Sequence, residues 1–114
     1  MVFVVNSSLE MTVGKIAAQV AHGALALYRE LIRDQDQCIN LTIWQDVGEK
    51  KIVLKGKDEN HLLELEKVAL SRKVPCVSIR DAGRTQIAPD SLTVLALFGS
   101  EPDVDQVTSS LRLL

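Results

Sequence analysis

The chain has 114 residues, 46% of them hydrophobic, which is close to the commonest size of one domain and too apolar for a disordered chain. Its formal net charge of −2 argues against indiscriminate nucleic-acid binding and leaves room only for a local basic patch on phosphates. No linker, low-complexity segment or internal repeat divides it, so a single domain over 1–114 is expected.

Residues 1–5 form an apolar run that stops at Asn6-Ser7-Ser8, which reads as a buried strand and a polar turn. The run lacks the basic region and small-residue cleavage site of a signal peptide. Nowhere does an apolar stretch approach the ~20 residues of a membrane span, so a cytoplasmic chain without a membrane segment is expected. Thr12 is placed to cap a helix over about 13–34. Ile16, Val20, Ala24, Leu27 and Leu31 recur at helical spacing, and Ala17, Ala21, Leu25, Tyr28 and Ile32 widen that face, predicting a largely buried helix. Residues 36–49 are less regular, with Trp44 between polar neighbours and a turn at Gly48.

A strand is predicted over 51–55, then a helix over about 59–72 capped by Asp58, with Leu62, Leu63, Leu65, Ala69 and Leu70 inward and Glu64, Glu66 and Lys67 in water. A third strand spans 74–80, with Pro75 near its start where a missing N–H does least harm. A loop over 81–90, a fourth strand over 92–98 and a short helix over 104–110 follow. Alternating strands and helices favour an α/β fold with a largely parallel sheet. The third and fourth strands have no helix between them, so either they pair antiparallel or the loop carries the chain elsewhere. The expected architecture is a four-stranded mixed β-sheet with helices packed on both faces.

Two segments carry candidate chemistry. Lys15, Gln19 and His22 stand at i, i+4 and i+7, one narrow stripe of the first helix. A lysine in a first turn opposes the helix dipole, and an anion there would gain from Lys15 and the free N–H groups. The same spacing also fits a solvated polar edge. Asp81-Ala-Gly-Arg-Thr-Gln-Ile-Ala-Pro89 follows a strand, where open α/β sheets bind ligands. It offers an acid, a base, a hydroxyl and an amide, although Asp81 and Arg84 could simply pair with each other across a turn.

Other motifs fail. Thr12-Val-Gly-Lys-Ile16 lacks the first glycine of a P-loop, and Ile16 stands where Ser or Thr would hold magnesium. Cys38, Cys76, His22 and His61 have no metal-site spacing, so no metal is expected. His61 reads as a surface residue, Glu49-Lys-Lys51 as a solvated turn, and the isolated cysteines as free thiols.

Gly14-Lys-Ile-Ala-Ala-Gln19, with His22 beyond it, resembles the first helix of the archaeal and eukaryotic (type II) peptidyl-tRNA hydrolase family. Ile79-Arg-Asp-Ala-Gly-Arg-Thr-Gln-Ile-Ala-Pro89 resembles that family's signature loop. Thr93-Val-Leu-Ala96 and the terminal Leu111-Arg-Leu-Leu also fit, and the resemblance covers essentially the whole chain. It implies hydrolysis of the ester that joins a peptide to tRNA, without metal or organic cofactor. Carried over by position, the catalytic set is Lys15, His22, Asp81, Thr85 and Thr93, and Gln19, Arg84 and Gln86 bind substrate. In this assignment Asp81 or His22 activates water, and Lys15 faces the oxyanion or terminal phosphate. Thr85 and Thr93 would hold water or ribose, and Arg84 would grip the RNA backbone.

The first turn departs from the family. Members usually carry Arg, then Asp, then a lysine-bearing glycine turn, where this chain has Asn6, Ser8, Glu10 and Val13. Fewer phosphate contacts would weaken RNA affinity. This motivates a second reading, a catalytically weak RNA- or protein-binding module on the same scaffold. A third reading is a small-anion site at the first helix. The partner expected is peptidyl-tRNA, and the apolar end Leu113-Leu114 is compatible with a homodimer.

Overall fold

The computed structural model describes residues 1–83 and 87–114. Strands β1 (Val2–Asn6), β2 (Ile52–Gly56), β3 (Cys76–Arg80) and β4 (Leu92–Leu97) form a four-stranded sheet in the order β2-β1-β4-β3. β1 and β2 run parallel, while β4 is antiparallel to both its neighbours. The third and fourth strands therefore pair directly, the first of the two arrangements the sequence allowed.

The two central strands are buried along their whole length, as their near-continuous apolar runs require. Alternation divides the core in two. Val2, Val4, Leu95 and Leu97 meet Leu62, Leu65 and Ala69 of α3 (Glu59–Ser71) and Val104 and Val107 of α4 (Glu101–Thr108). Phe3, Val5, Val94 and Ala96 meet Leu27 and Leu31 of α1 (Val13–Leu31) and Leu41 of α2 (Gln35–Asp46) on the other face.

This topology collects the ends of β1, β2 and β3 and the start of β4 at one end of the sheet. α1 begins there too, after a 3₁₀ turn at Ser7–Leu9. Asn6, 2% exposed, ties that end together. Its amide donates to the Leu92 carbonyl at 2.8 Å, and its Oδ1 accepts from the Ser8 backbone N–H and hydroxyl at 3.1 and 2.6 Å.

Several expectations are corrected. The first helix ends at Leu31 rather than 34, because Asp34 is extended and caps the next helix, accepting from the Asp36 and Gln37 amides. Residues 36–49, read as irregular, are mostly α2. Its apolar residues point in all directions, so only Leu41 is buried and Ile39 and Ile43 stay exposed, as does Val47 just after the helix. α1 buries one face only. Gln19, Gly23, Leu27 and Leu31 lie inside, while Ala17, Ala21, Leu25 and Ile32 face water. Leu63 and Leu70 are exposed. Glu66 is half-buried instead, where it accepts a hydrogen bond from Ser78 of β3. The last helix starts at Glu101 because Ser100 caps it and Pro102 lies in the first turn, where no intrahelical N–H is missed. His61 is half-buried, its Nδ1 accepting from the Lys57 amide at 2.9 Å. Among the described residues no helix is long and apolar enough to cross a membrane.

Candidate active site

Thr12 caps α1, its hydroxyl accepting from the Lys15 amide at 3.3 Å. This fixes the first turn and so the direction of the Lys15 side chain, which is 8% exposed. No acidic residue in that turn offsets its charge against the helix dipole. The compensation comes from Asp81, 66 positions away, whose Oδ1 accepts a hydrogen bond from the Lys15 ammonium.

Asp81 continues the β3–β4 ladder past the strand ends. Its N–H donates to the Ser91 carbonyl at 2.9 Å, and its carbonyl accepts from the Asp90 amide at 2.8 Å. The second carboxylate oxygen accepts from the Gly83 amide at 2.9 Å. That turn requires glycine. Gly83 has φ +78°, and a Cβ there would lie 2.6 Å from the Pro89 ring. The Lys15 hydrogen bond outweighs the cost of burial, and together with the Gly83 amide and the charges of Lys15 and His22 it holds the Asp81 carboxyl below its ordinary value. Asp81 is thus a firmly ionised partner for Lys15.

Gln19, one turn further along α1, is 5% exposed. Its Oε1 lies 2.7 Å from the Thr93 hydroxyl, which also lies 3.1 Å from the Ile79 carbonyl. The Thr93 hydroxyl donates its proton to Gln19 Oε1, the shorter of the two contacts. Thr93 is 0% exposed and sits behind Gln19 rather than at the surface. His22 is exposed on the same helix face.

Lys15, Gln19, His22 and Asp81 border one cleft of about 840 Å³ between α1 and β3. Sequence spacing found the α1 stripe only as far as His22. The cleft follows it on to Ala26 and Arg29, at i+11 and i+14 from Lys15, a continuation legible in the same periodicity. No spacing marks the opposite wall, formed by Ser78, Ile79 and Arg80, because neighbours across the fold have no fixed separation along the chain. Arg84, Thr85 and Gln86 lie outside the described residues. Among the described residues no three His, Cys, Asp or Glu side chains converge as metal ligands would. The cleft instead combines a nearly buried ammonium, a carboxylate, an amide and an exposed imidazole, a set suited to an anionic or carbonyl-bearing ligand.

The model of the family described as "Peptidyl-tRNA hydrolase PTH2" matches residues 1–114. "Probable peptidyl-tRNA hydrolase 2" of Caenorhabditis elegans is 43% identical over 114 residues, which is all of this chain and 36% of that protein. "Peptidyl-tRNA hydrolase" of Methanopyrus kandleri is 40% identical, covering 99% of this chain and 96% of the relative. "Peptidyl-tRNA hydrolase 2, mitochondrial" of Homo sapiens is 39% identical, and the match covers 99% of this chain and 63% of that protein. The chain therefore spans nearly the full archaeal relative but about a third of the nematode one. The family match over residues 1–114, with relatives about 40% identical along the whole chain, leads to one conclusion: the chain belongs to the peptidyl-tRNA hydrolase PTH2 family.

Proposed function

We propose that this chain hydrolyses the ester between a peptide, or an N-blocked amino acid, and the terminal ribose of tRNA. The observation that carries this reading is the Lys15–Asp81 pair at the head of the cleft. Asp81 takes one of the three Lys15 donors, leaving the others for the oxygen that becomes negative as water adds to the ester carbonyl. Asp81 itself is a poor proton acceptor, because its carboxyl is held ionised. The proton acceptor is then His22, exposed on the same stripe. It takes a proton as water adds to the carbonyl carbon, and returns it to the ribose oxygen as the carbon–oxygen bond breaks. The products are a peptide with a free carboxyl group and tRNA with a free terminal hydroxyl. Gln19 orients substrate, and Thr93, buried behind it, acts as a positioning residue. The roles of Thr85 with the water or ribose, and of Arg84 and Gln86 with the RNA, stand on the family resemblance alone. A cytoplasmic location belongs to this proposal, whereas the human relative's name places that protein in mitochondria.

The test is release of a labelled N-acetyl-aminoacyl group from tRNA by wild type, Lys15→Ala and Asp81→Ala, each checked for folding by circular dichroism. Wild type should release the label rapidly, and each substitution should lower turnover by about 10²-fold, the usual cost of one oxyanion donor. Near-normal rates in both variants would remove the site. No release by folded wild type would leave the binding-module reading in its place.

A further inference from the structure

The two edges of the sheet are treated differently. The β2 edge is covered by the end of the chain: the Lys55 amide donates to the Arg112 carbonyl at 2.8 Å, and the Leu114 amide to the Val53 carbonyl at 3.1 Å. β3 ends the strand order on the other side, and among the described residues no strand pairs with its outer edge. Pro75 accepts from Phe98 and Asp81 donates to Ser91, so residues of that parity turn their backbone groups toward β4. Cys76, Ser78 and Arg80 then turn theirs outward. An open edge of this kind is a template for another strand. Here it borders the cleft that Lys15 and Asp81 head.

We propose that the peptide part of the substrate binds as a strand added to the free edge of β3, in the cleft against α1. This rests on the hydrolase reading and deepens it. The ester sits at Lys15 and Asp81, and it marks the C-terminal end of the peptide. β3 runs toward Asp81 as well, so the added strand is parallel to β3. Ala18 and Ala26 on α1 leave room for it opposite the edge. Five residues of β3 extend about 16 Å at ~3.3 Å each, enough for about four peptide residues. Main-chain pairing recognises a peptide without regard to its sequence. That suits a substrate whose constant features are a backbone and an ester.

The test compares kcat/KM for tRNAs carrying one, two, four and six N-blocked residues, in wild type and Ala26→Trp. Wild type should gain roughly tenfold or more between one and four residues, then level off. Ala26→Trp fills the far part of the cleft and should bring the ratio of long to short substrates close to one. In parallel, hydrogen exchange on wild type is measured with a non-hydrolysable, amide-linked peptidyl-adenosine. The Ser78 and Arg80 amides should exchange roughly tenfold more slowly with a five-residue peptide, and no more slowly with a single residue. Equal kcat/KM at all lengths, an equal fall at all lengths in Ala26→Trp, or unchanged exchange at Ser78 and Arg80 would overturn strand addition. Failure to hydrolyse any of the substrates would sink the hydrolase reading, while the exchange result would still decide whether β3 pairs with peptide.

Discussion

At the scale of single residues, the Lys15–Asp81 pair links the proposed catalysis to stability. Both side chains are nearly buried, and neither would be tolerated there alone. Asp81 binds its proton less tightly when folded than its ordinary value of 3.8, so the unfolded chain takes up more protons as pH falls. Its contribution is complete above that ordinary value and disappears as pH drops through the lowered one. The gap in urea midpoint between wild type and Asp81→Asn should therefore be constant from neutral pH down to about 5, and close as the pH falls below the ordinary value of 3.8. A gap that stays constant through that range would mean the pair is not ionised as described. Spacing made the Lys15, Gln19 and His22 stripe legible, and position after a strand singled out Asp81. Their meeting was not legible from the residues alone, because it depends on how α1 lies across β3. Thr93 entered only through family resemblance, since a threonine inside an apolar strand looks like any other. Its contact with Gln19, 74 positions away, is a product of the fold.

At the scale of elements, legibility followed periodicity. α1 and α3 have a consistent buried face and β1 and β4 are buried throughout, and the sequence located these and the two outer strands within a few residues. α2 has no such face, since it rests on the core mainly through Leu41 while Trp44 packs edge-on against Phe98. A helix held by few contacts leaves little trace in the sequence. Pairing of β3 with β4 was likewise open, because a loop without a helix allows two topologies. Where elements meet closely, the fit is strict. Gly56 ends β2 beneath α3, and a Cβ there would lie 2.4 Å from Leu62 Cδ1 and 2.9 Å from Val4 Cγ1. Gly56→Ala should force α3 outward at a cost of about 1–3 kcal/mol, lowering Tm by at least ~4 °C. Thermal unfolding followed by circular dichroism measures this directly, and an unchanged Tm would show that α3 yields freely at Leu62.

At the scale of the whole molecule, the proposed function asks how a chain with 13 basic and 15 acidic residues would engage a polyanion. Net charge gives no long-range attraction, so the charges around the cleft decide the matter. The end of the sheet that holds the candidate site carries Lys55 and Lys57, Lys15 paired with Asp81 and Arg80 paired with Glu59, but also Glu10, exposed at the end of the 3₁₀ turn that leads into α1. Asn6 and Ser8, in the same turn, are neutral and bonded to each other. The corner through which RNA would approach Lys15 is therefore weakly charged. Glu10 is already left-handed, with φ +50°, so a lysine there meets no backbone strain that glutamate does not. Glu10→Lys replaces a repulsive charge by one that can release a counterion. It should tighten tRNA binding, and steepen the dependence of log Kd on log salt by about 0.7–0.9, the value of one phosphate contact. Filter binding of uncharged tRNA across a salt series reads both effects. A tighter Kd with an unchanged slope would point to relief of repulsion without a new phosphate contact. No change in either would mean that the RNA reaches Lys15 from the side of α1 that bears His22 and Arg29.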